Sequence, residues 1–141
     1  MITSDVVDWH SDGRILIVDD ESNVQSVTGA FAEKLGFEIL IASDGQEGVD
    51  VFQKHHQKID VVLMDMTMPR LGGMDAMQKM RKINSGIPIV LVSGYSEMEA
   101  CSTVSGEGKA DGFLQKPFKF KDLKKSLYKV MNASDSADNI L

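Results

Sequence analysis

The sequence has few of the features that mark secreted, membrane-embedded or nucleic-acid-binding proteins. Its single cysteine, Cys101, cannot form an internal disulfide, so we expect a reducing compartment and a cytoplasmic location. No apolar run approaches the length of a membrane span, and we expect no membrane contact by this chain. The formal net charge of −6 argues against a nucleic-acid-binding surface, which is normally basic.

The amino-acid composition is typical of one globular domain. The chain has 141 residues, of which 43% are hydrophobic and 26% are charged, enough for one sizeable core. Both ends are polar and acidic. We therefore expect an N-terminal linker or tail at residues 1–13, a domain at residues 14–131, and a C-terminal tail at residues 132–141.

Short apolar runs alternate with stretches of helical periodicity between the two tails. Strands are predicted at residues 14–18, 37–42, 61–65, 87–92 and 110–115. Helices are predicted between and after these strands. The residues predicted to face the core are Val24, Val27, Phe31 and Leu35 in the first helix, and Leu123, Leu127 and Val130 in the last. The fourth helix, from Ser96 to about Glu107, has the weakest pattern. Five strand–helix repeats predict a parallel sheet with helices on both faces.

The third strand ends in an acid. Four apolar residues, Val61 to Met64, run directly into Asp65, and Pro69 prevents the strand from continuing far. In open α/β sheets, ligands bind at the carboxyl ends of the strands. Because a carboxylate in such a place is costly on its own, we expect a metal, a cation or a reaction to account for Asp65.

Other polar side chains follow the neighbouring strands. Right-handed crossovers place all the carboxyl ends at one edge, which brings Asp19, Asp20, Ser93 and Lys116 towards Asp65. Carboxylates so close repel each other, and a hard cation such as Mg²⁺ relieves that repulsion. Lys116 and a metal can neutralise phosphoryl oxygens while Ser93 donates a hydrogen bond, leaving Asp65 as the nucleophile.

Each of these signals has a purely structural interpretation. An Asp-Asp pair after a strand often caps a helix, and Ser-Gly and Lys-Pro are common in turns. Five suitable residues at the ends of four strands favour the functional interpretation for the set. By contrast, the alternating Met64, Met66 and Met68 and the stripe of Met74, Met77 and Met80 are interpreted as core and loop packing.

Four motifs together resemble the receiver (response-regulator) domain of two-component signalling. They are Val18-Asp19-Asp20-Glu21, Leu63-Met64-Asp65-Met66-Thr67-Met68-Pro69, Val92-Ser93-Gly94 and Gln115-Lys116-Pro117-Phe118. The resemblance covers roughly residues 14–131. It implies a flavodoxin-like (βα)5 fold, with five parallel strands in the order 2-1-3-4-5.

The resemblance also implies roles for individual residues. Asp65 would accept a phosphoryl group from a histidine kinase, with Lys116 pairing the phosphate. Magnesium would be held by Asp19, Asp20, Asp65 and the backbone carbonyl of Thr67.

The same resemblance implies a switch between two conformations. Ser93 would move towards the phosphoryl group, and Phe113 would rotate into the space it leaves. The surface of the fourth helix and fifth strand would change in response. Gly73 matches the glycine of the loop after the phosphoacceptor, and a cis bond is expected before Pro117.

The sequence around Ser93 and Phe113 resembles that of the C-terminal receivers of hybrid sensor histidine kinases. A histidine kinase phosphodonor domain or a histidine phosphotransfer protein would then be the partner, and the parent protein would be an enzyme. The alternative is a stand-alone single-domain response regulator. Because the fourth-helix face lacks the basic residues of dimerising receivers, we expect a monomer.

Two rival functions fit the sequence less well. An aspartate-nucleophile phosphatase of the haloacid-dehalogenase type needs a second acid two residues after the nucleophile, where this chain has Thr67. A flavodoxin-like flavin carrier needs a loop rich in Ser, Thr and Gly after strand one, where this chain has Asp19-Asp20-Glu21.

Overall fold

Strands and helices alternate from the first strand to the fourth, as the sequence predicts, and a last helix follows the fifth strand. The computed structural model describes residues 9–66, 68, 71–94 and 110–132. Its strands are β1 (Arg14–Val18), β2 (Glu38–Ala42), β3 (Val61–Asp65), β4 (Ile89–Ser93) and β5 (Gly112–Gln115). Its helices are α1 (Ser22–Lys34), α2 (Gly45–His55), α3 (Gly73–Ile83) and α4 (Phe120–Met131), with a 3-10 turn at His56–Lys58. The helix predicted at residues 96–107 lies outside the described residues.

The five strands form one parallel sheet in the order β2-β1-β3-β4-β5, which confirms the predicted fold and strand order. The register aligns Asp65 with Val92 and Ser93 with Gln115. The carboxyl ends of β1, β3, β4 and β5 therefore meet at one edge of the sheet. β4 and β5 begin two residues later than predicted, and before β4 Pro88 has no N–H to donate to the ladder.

The core has two layers because both faces of the sheet are covered. In β1, Leu16 and Val18 pack with residues of α2 and α3, whereas Ile15 and Ile17 pack with residues of α1 and α4. The two faces explain why the strands read as continuous apolar runs instead of an alternating pattern.

The helix faces follow the predicted periodicity except in α1. In α4 the predicted residues Leu123, Leu127 and Val130 are all buried. In α1, however, Val27 is 52% exposed, so its predicted inward orientation is wrong. Small residues face the sheet instead: a Cβ on Gly29 would lie 3.0 Å from Ile39 Cδ1. This close approach fixes the rotation of α1 and turns Val27 outward.

The residues before β1 contact the domain. The ring centroid of Trp9 lies 6.0 Å from that of Phe37 and 5.7 Å from that of Tyr128. The backbone N–H of Ser11 also donates to the carbonyl of Leu35. Residues 9–13 therefore pack on the domain, while the boundaries of the two tails stay predictions. None of the helices in the described part of the chain has the length and hydrophobicity of a transmembrane segment.

We expect Gly36→Ala to destabilise the fold. Gly36 ends the turn after α1 with φ of +103°, and a Cβ there would overlap the carbonyl oxygen of Ser11. The substitution should lower the free energy of unfolding by about 1–3 kcal/mol, measured by urea denaturation.

Gly86→Ala is the matched control for this prediction. A Cβ at Gly86 would lie 3.7 Å from Asn84 Oδ1, an ordinary contact. Its effect should stay within about 0.5 kcal/mol. Equal losses in the two variants would contradict the role assigned to Gly36.

Candidate functional site

Asp19 is a buried acid held in place by the loop after β1. Its side chain is largely buried, and Oδ1 accepts a hydrogen bond of 2.9 Å from the backbone N–H of Glu21. Its own N–H donates to the carbonyl of Ala42, and its carbonyl accepts from Gln25 Nε2. These bonds anchor the Asp19 backbone on both sides and orient its carboxylate at the edge of the sheet.

Asp65 ends β3 and is only 5% exposed. The chain turns back tightly after it, since the N–H of Gly73 donates to the carbonyl of Met66 at 3.0 Å. A Cβ on Gly73 would overlap the carbonyl oxygen of Asp65. This is the physical reason for a glycine at the position that the sequence resemblance singles out.

Lys116 joins the two buried acids. Its Nζ lies 3.1 Å from Asp19 Oδ2 and 3.4 Å from Asp65 Oδ2, with Glu21 Oε1 at 3.8 Å. Burial alone would lower the pKa of Lys116, but the hydrogen bond to Asp19 and the charges of both acids outweigh it and raise the pKa above 10.5. Lys116 is therefore an ammonium ion at neutral pH. The bond between Lys116 and Pro117 is cis, as expected.

Ser93 ends β4 and is 2% exposed. Within the described residues its Oγ has no hydrogen-bond partner. A buried hydroxyl without a partner is unfavourable by about 1–3 kcal/mol, so its position calls for an explanation. Phe113 pairs with Leu91 on the neighbouring strand and packs, partly buried, against the core layer formed with α2 and α3.

An acidic cluster beside the buried acids offers oxygen ligands. Carboxylate oxygens of Asp19, Asp20 and Glu21 lie within 4.8 Å of one another. Such hard donors, two of them exposed to solvent, suit a divalent cation such as Mg²⁺. The sequence predicted Asp19 and Asp20 as metal ligands but missed Glu21, although it completes the same acidic run.

Asp65 does not belong to this cluster but is linked to it through Lys116. Thr67, the fourth predicted ligand, lies outside the described residues. The structure therefore brings Asp19 and Asp65 together at Lys116. Ser93 lies at the same edge of the sheet, where its carbonyl accepts from the N–H of Lys116, and Asp20 is exposed beside the cluster. This arrangement pairs a candidate carboxylate nucleophile with a fixed positive charge and a hydrogen-bond donor.

Comparison with known proteins identifies the family to which the sequence motifs point. The response regulator receiver domain family matches residues 15–128. The probable transcriptional regulator ycf27 of Porphyra purpurea is 32% identical over 123 residues, which is 86% of this chain and 49% of that protein. The regulatory protein AtoC of Escherichia coli is 36% identical over 110 residues, 78% of this chain and 23% of that protein. The chain thus spans at most about half the length of these relatives.

Solved structures show the same architecture. A receiver domain protein from Clostridium thermocellum superposes with a TM-score of 0.80 at 30% identity, covering 89% of this chain and 98% of that one. The response regulator TrrA of Thermotoga maritima, solved in complex with Mg²⁺ and BeF, gives 0.74 at 31% identity, covering 84% of this chain and 98% of that one. From the family match, the shared strand order and the acids gathered at its edge, we conclude that this chain belongs to the response regulator receiver domain family.

Proposed function

We propose that this chain accepts a phosphoryl group on Asp65 from a histidine kinase. The observation that carries the proposal is the position of the buried Asp65 carboxylate, 3.4 Å from the ammonium of Lys116. A carboxylate oxygen of Asp65 attacks the phosphorus atom, and the bond from phosphorus to the donor imidazole breaks. The imidazole leaves with its electron pair, and an acyl phosphate remains on Asp65.

The neighbouring side chains stabilise the charge on the transferred group. Lys116 neutralises one non-bridging oxygen, and the hydroxyl of Ser93, which has no partner among the described residues, donates a hydrogen bond to another. Mg²⁺, when bound, supplies the positive charge that lets a phosphate enter an acidic site. Asp19 and Asp20 would hold it, with Asp65 and the Thr67 carbonyl as the other proposed ligands.

Phosphorylation would be read out as a change of surface. As Ser93 bonds the phosphoryl group, it vacates space into which Phe113 rotates. The surface of β5 and of the predicted 96–107 helix then changes. A few kcal/mol of preferential stabilisation is enough to move most of the population.

The relatives favour a response regulator over the receiver of a hybrid histidine kinase. Two of them are named as regulators, one of transcription, which supports the alternative named in the sequence analysis. Activity of any longer parent protein, including DNA binding, is a separate proposal. For the chain itself, the net charge of −6 argues against binding of nucleic acid.

We also propose a monomer, because the predicted 96–107 helix lacks the basic residues that dimerising receivers carry there. Asp111, the nearby acid that could pair with a second subunit, does not replace them. Asp111 is engaged within the chain, because its Oδ2 lies 2.7 Å from the guanidinium of Arg81 and accepts from the N–H of Ile89. It is thus satisfied without a second subunit.

An apolar groove beside Lys116 fits the phosphodonor. It has a volume of about 390 Å³ and is lined by Val24, Val27, Pro117 and Phe118, among others. Because it runs from α1 to the residue that faces Asp65, a helix seated in it would bring its histidine to the site. We propose a histidine kinase phosphodonor domain, or a histidine phosphotransfer protein, as the occupant.

The phosphoacceptor prediction is tested by intact mass. Incubation with acetyl phosphate and Mg²⁺ should add one phosphoryl group to the wild type and none to Asp65→Asn. Asp50→Asn, which removes an exposed acid on α2, should behave like the wild type. Phosphorylation of Asp65→Asn to the wild-type level would refute the assignment.

The metal prediction is tested by thermal unfolding. Mg²⁺ at a hundred times its dissociation constant should stabilise the wild type by about 2.7 kcal/mol. Asp20→Asn should need a much higher concentration for the same shift, whereas Asp50→Asn should not. Asp20 is exposed, so its loss should leave the fold intact without the metal. Equal Mg²⁺ dependence in Asp20→Asn and wild type would count against this cluster.

The docking prediction separates recognition from chemistry. Of a panel of purified phosphorylated histidine kinase cores, the one that transfers fastest to the wild type is used. Val27→Gln should slow this transfer about tenfold, because a polar amide buried against an apolar partner without a hydrogen bond weakens the contact. Phosphorylation of the same variant by acetyl phosphate should be unchanged.

Ile41→Gln is the matched control. Besides Val27, the exposed large apolar residue in the described part of the chain is Ile41, which is 37% exposed. It lies on the edge strand β2. Its substitution should leave both reactions unchanged. Equal slowing by the two variants would show that the groove is not the docking surface.

A further inference from the structure

The methionines in the described part of the chain form three groups, which differ in solvent access or in the core layer that they contact. Three in the core have no exposed surface: Met64, Met77 and Met80. Three others, here called the loop methionines, are partly exposed: Met66, Met68 and Met74. Met131, at the end of α4, is also partly exposed but packs against the opposite layer of the core. Exposure therefore separates the loop methionines from the core methionines, and the core layer that they contact separates them from Met131.

The loop methionines border the turn that holds Asp65. Met66 follows Asp65 directly; its N–H donates to the carbonyl of Val92, and its carbonyl accepts from Gly73. Met74 is the next residue after Gly73, at the start of α3. All three loop methionines pack against the core layer formed with α2 and α3. A change in these side chains is therefore a change beside the candidate nucleophile.

We propose that the loop methionines are a site of reversible oxidation by hydroperoxides, and that their oxidation suppresses phosphoryl acceptance by Asp65. The second half rests on the proposed function. A thioether sulfur attacks the distal oxygen of the hydroperoxide, the S–O bond forms and the O–O bond breaks. Sulfur loses two electrons, the peroxide is reduced, and the hydroperoxide proton ends on the departing alcohol or water. Methionine sulfoxide reductases reverse the modification.

The effect on the site follows from polarity. A sulfoxide oxygen is a strong hydrogen-bond acceptor, and it is unfavourable against an apolar layer that offers no donor. An oxidised loop methionine would therefore leave its place on the core. Because Met66 and Gly73 share the backbone hydrogen bond that closes the turn, Asp65 would lose its fixed position. Misplacement of a reacting group is costly to the rate even at constant binding.

The first experiment measures oxidation residue by residue. The full chain carrying Cys101→Ser, which removes thiol oxidation, is treated with hydrogen peroxide and mapped by peptide mass. The loop methionines should gain oxygen about tenfold faster than the core methionines, because access governs susceptibility. Oxidation of Met64, Met77 and Met80 at the rate of the loop methionines would overturn the proposed site.

The second experiment measures the consequence. After peroxide, phosphorylation by acetyl phosphate should fall about tenfold. Methionine sulfoxide reductases should then restore it. The triple variant Met66→Leu, Met68→Leu and Met74→Leu keeps similar side-chain volumes and should retain its rate through the treatment. Met131→Leu alone should give no protection. A fully oxidised chain that keeps the untreated rate would overturn the proposal.

A further readout separates this proposal from the proposed function. The Mg²⁺-dependent shift in thermal unfolding does not require phosphorylation, and oxidation should move it to higher Mg²⁺ concentration. If the untreated chain accepts no phosphoryl group, the proposed function fails, while the peptide map and the Mg²⁺ shift still decide on the oxidation site. An unchanged Mg²⁺ shift in the fully oxidised chain would count against coupling of the loop methionines to Asp65.

Discussion

The ammonium of Lys116 between Asp19 and Asp65 is the interaction on which the site depends. Two buried carboxylates at the ends of β1 and β3 would repel each other without a cation, and the lysine at the end of β5 supplies it. The sheet order places β3 and β4 between β1 and β5, so the lysine must reach across the edge. Its contact closes the site and ties three strands together. A buried charge set of this kind stabilises a protein only when each member is paired.

The rest of the fold holds that edge rigid. Both faces of the sheet are packed by helices, and the strands beneath the acids are almost completely buried. The apolar layers therefore balance the unfavourable burial of Asp19, Asp65 and Ser93. A scaffold that is stable for other reasons can keep a buried hydroxyl and two adjacent acids in place. Natural proteins break local rules of this kind mainly at functional sites.

The sequence predicts the sheet and the residues at its edge because these depend on local pattern. Apolar runs define the strands, and the polar residue after each run identifies the edge. The orientation of α1 was not predictable from spacing, because it depends on how closely Gly29 approaches Ile39 on another element. The same holds for Trp9, whose partners Phe37 and Tyr128 come from distant parts of the chain. Glu21 joins the acidic cluster only through the fold of the loop after β1.

The rotation of α1 has an evolutionary consequence. Small residues, Gly29 and Ala32, face the sheet, while Val27 faces outward, so the part of the helix that sustains the core is separate from the part that faces solvent. Substitutions at Val27 need not disturb the packing of α1 on the sheet. Copies of such a domain that arise by gene duplication can therefore acquire different binding partners while they keep the same free energy of folding and the same chemistry. The helix is thus a place where signalling lineages can separate without passing through an unstable intermediate.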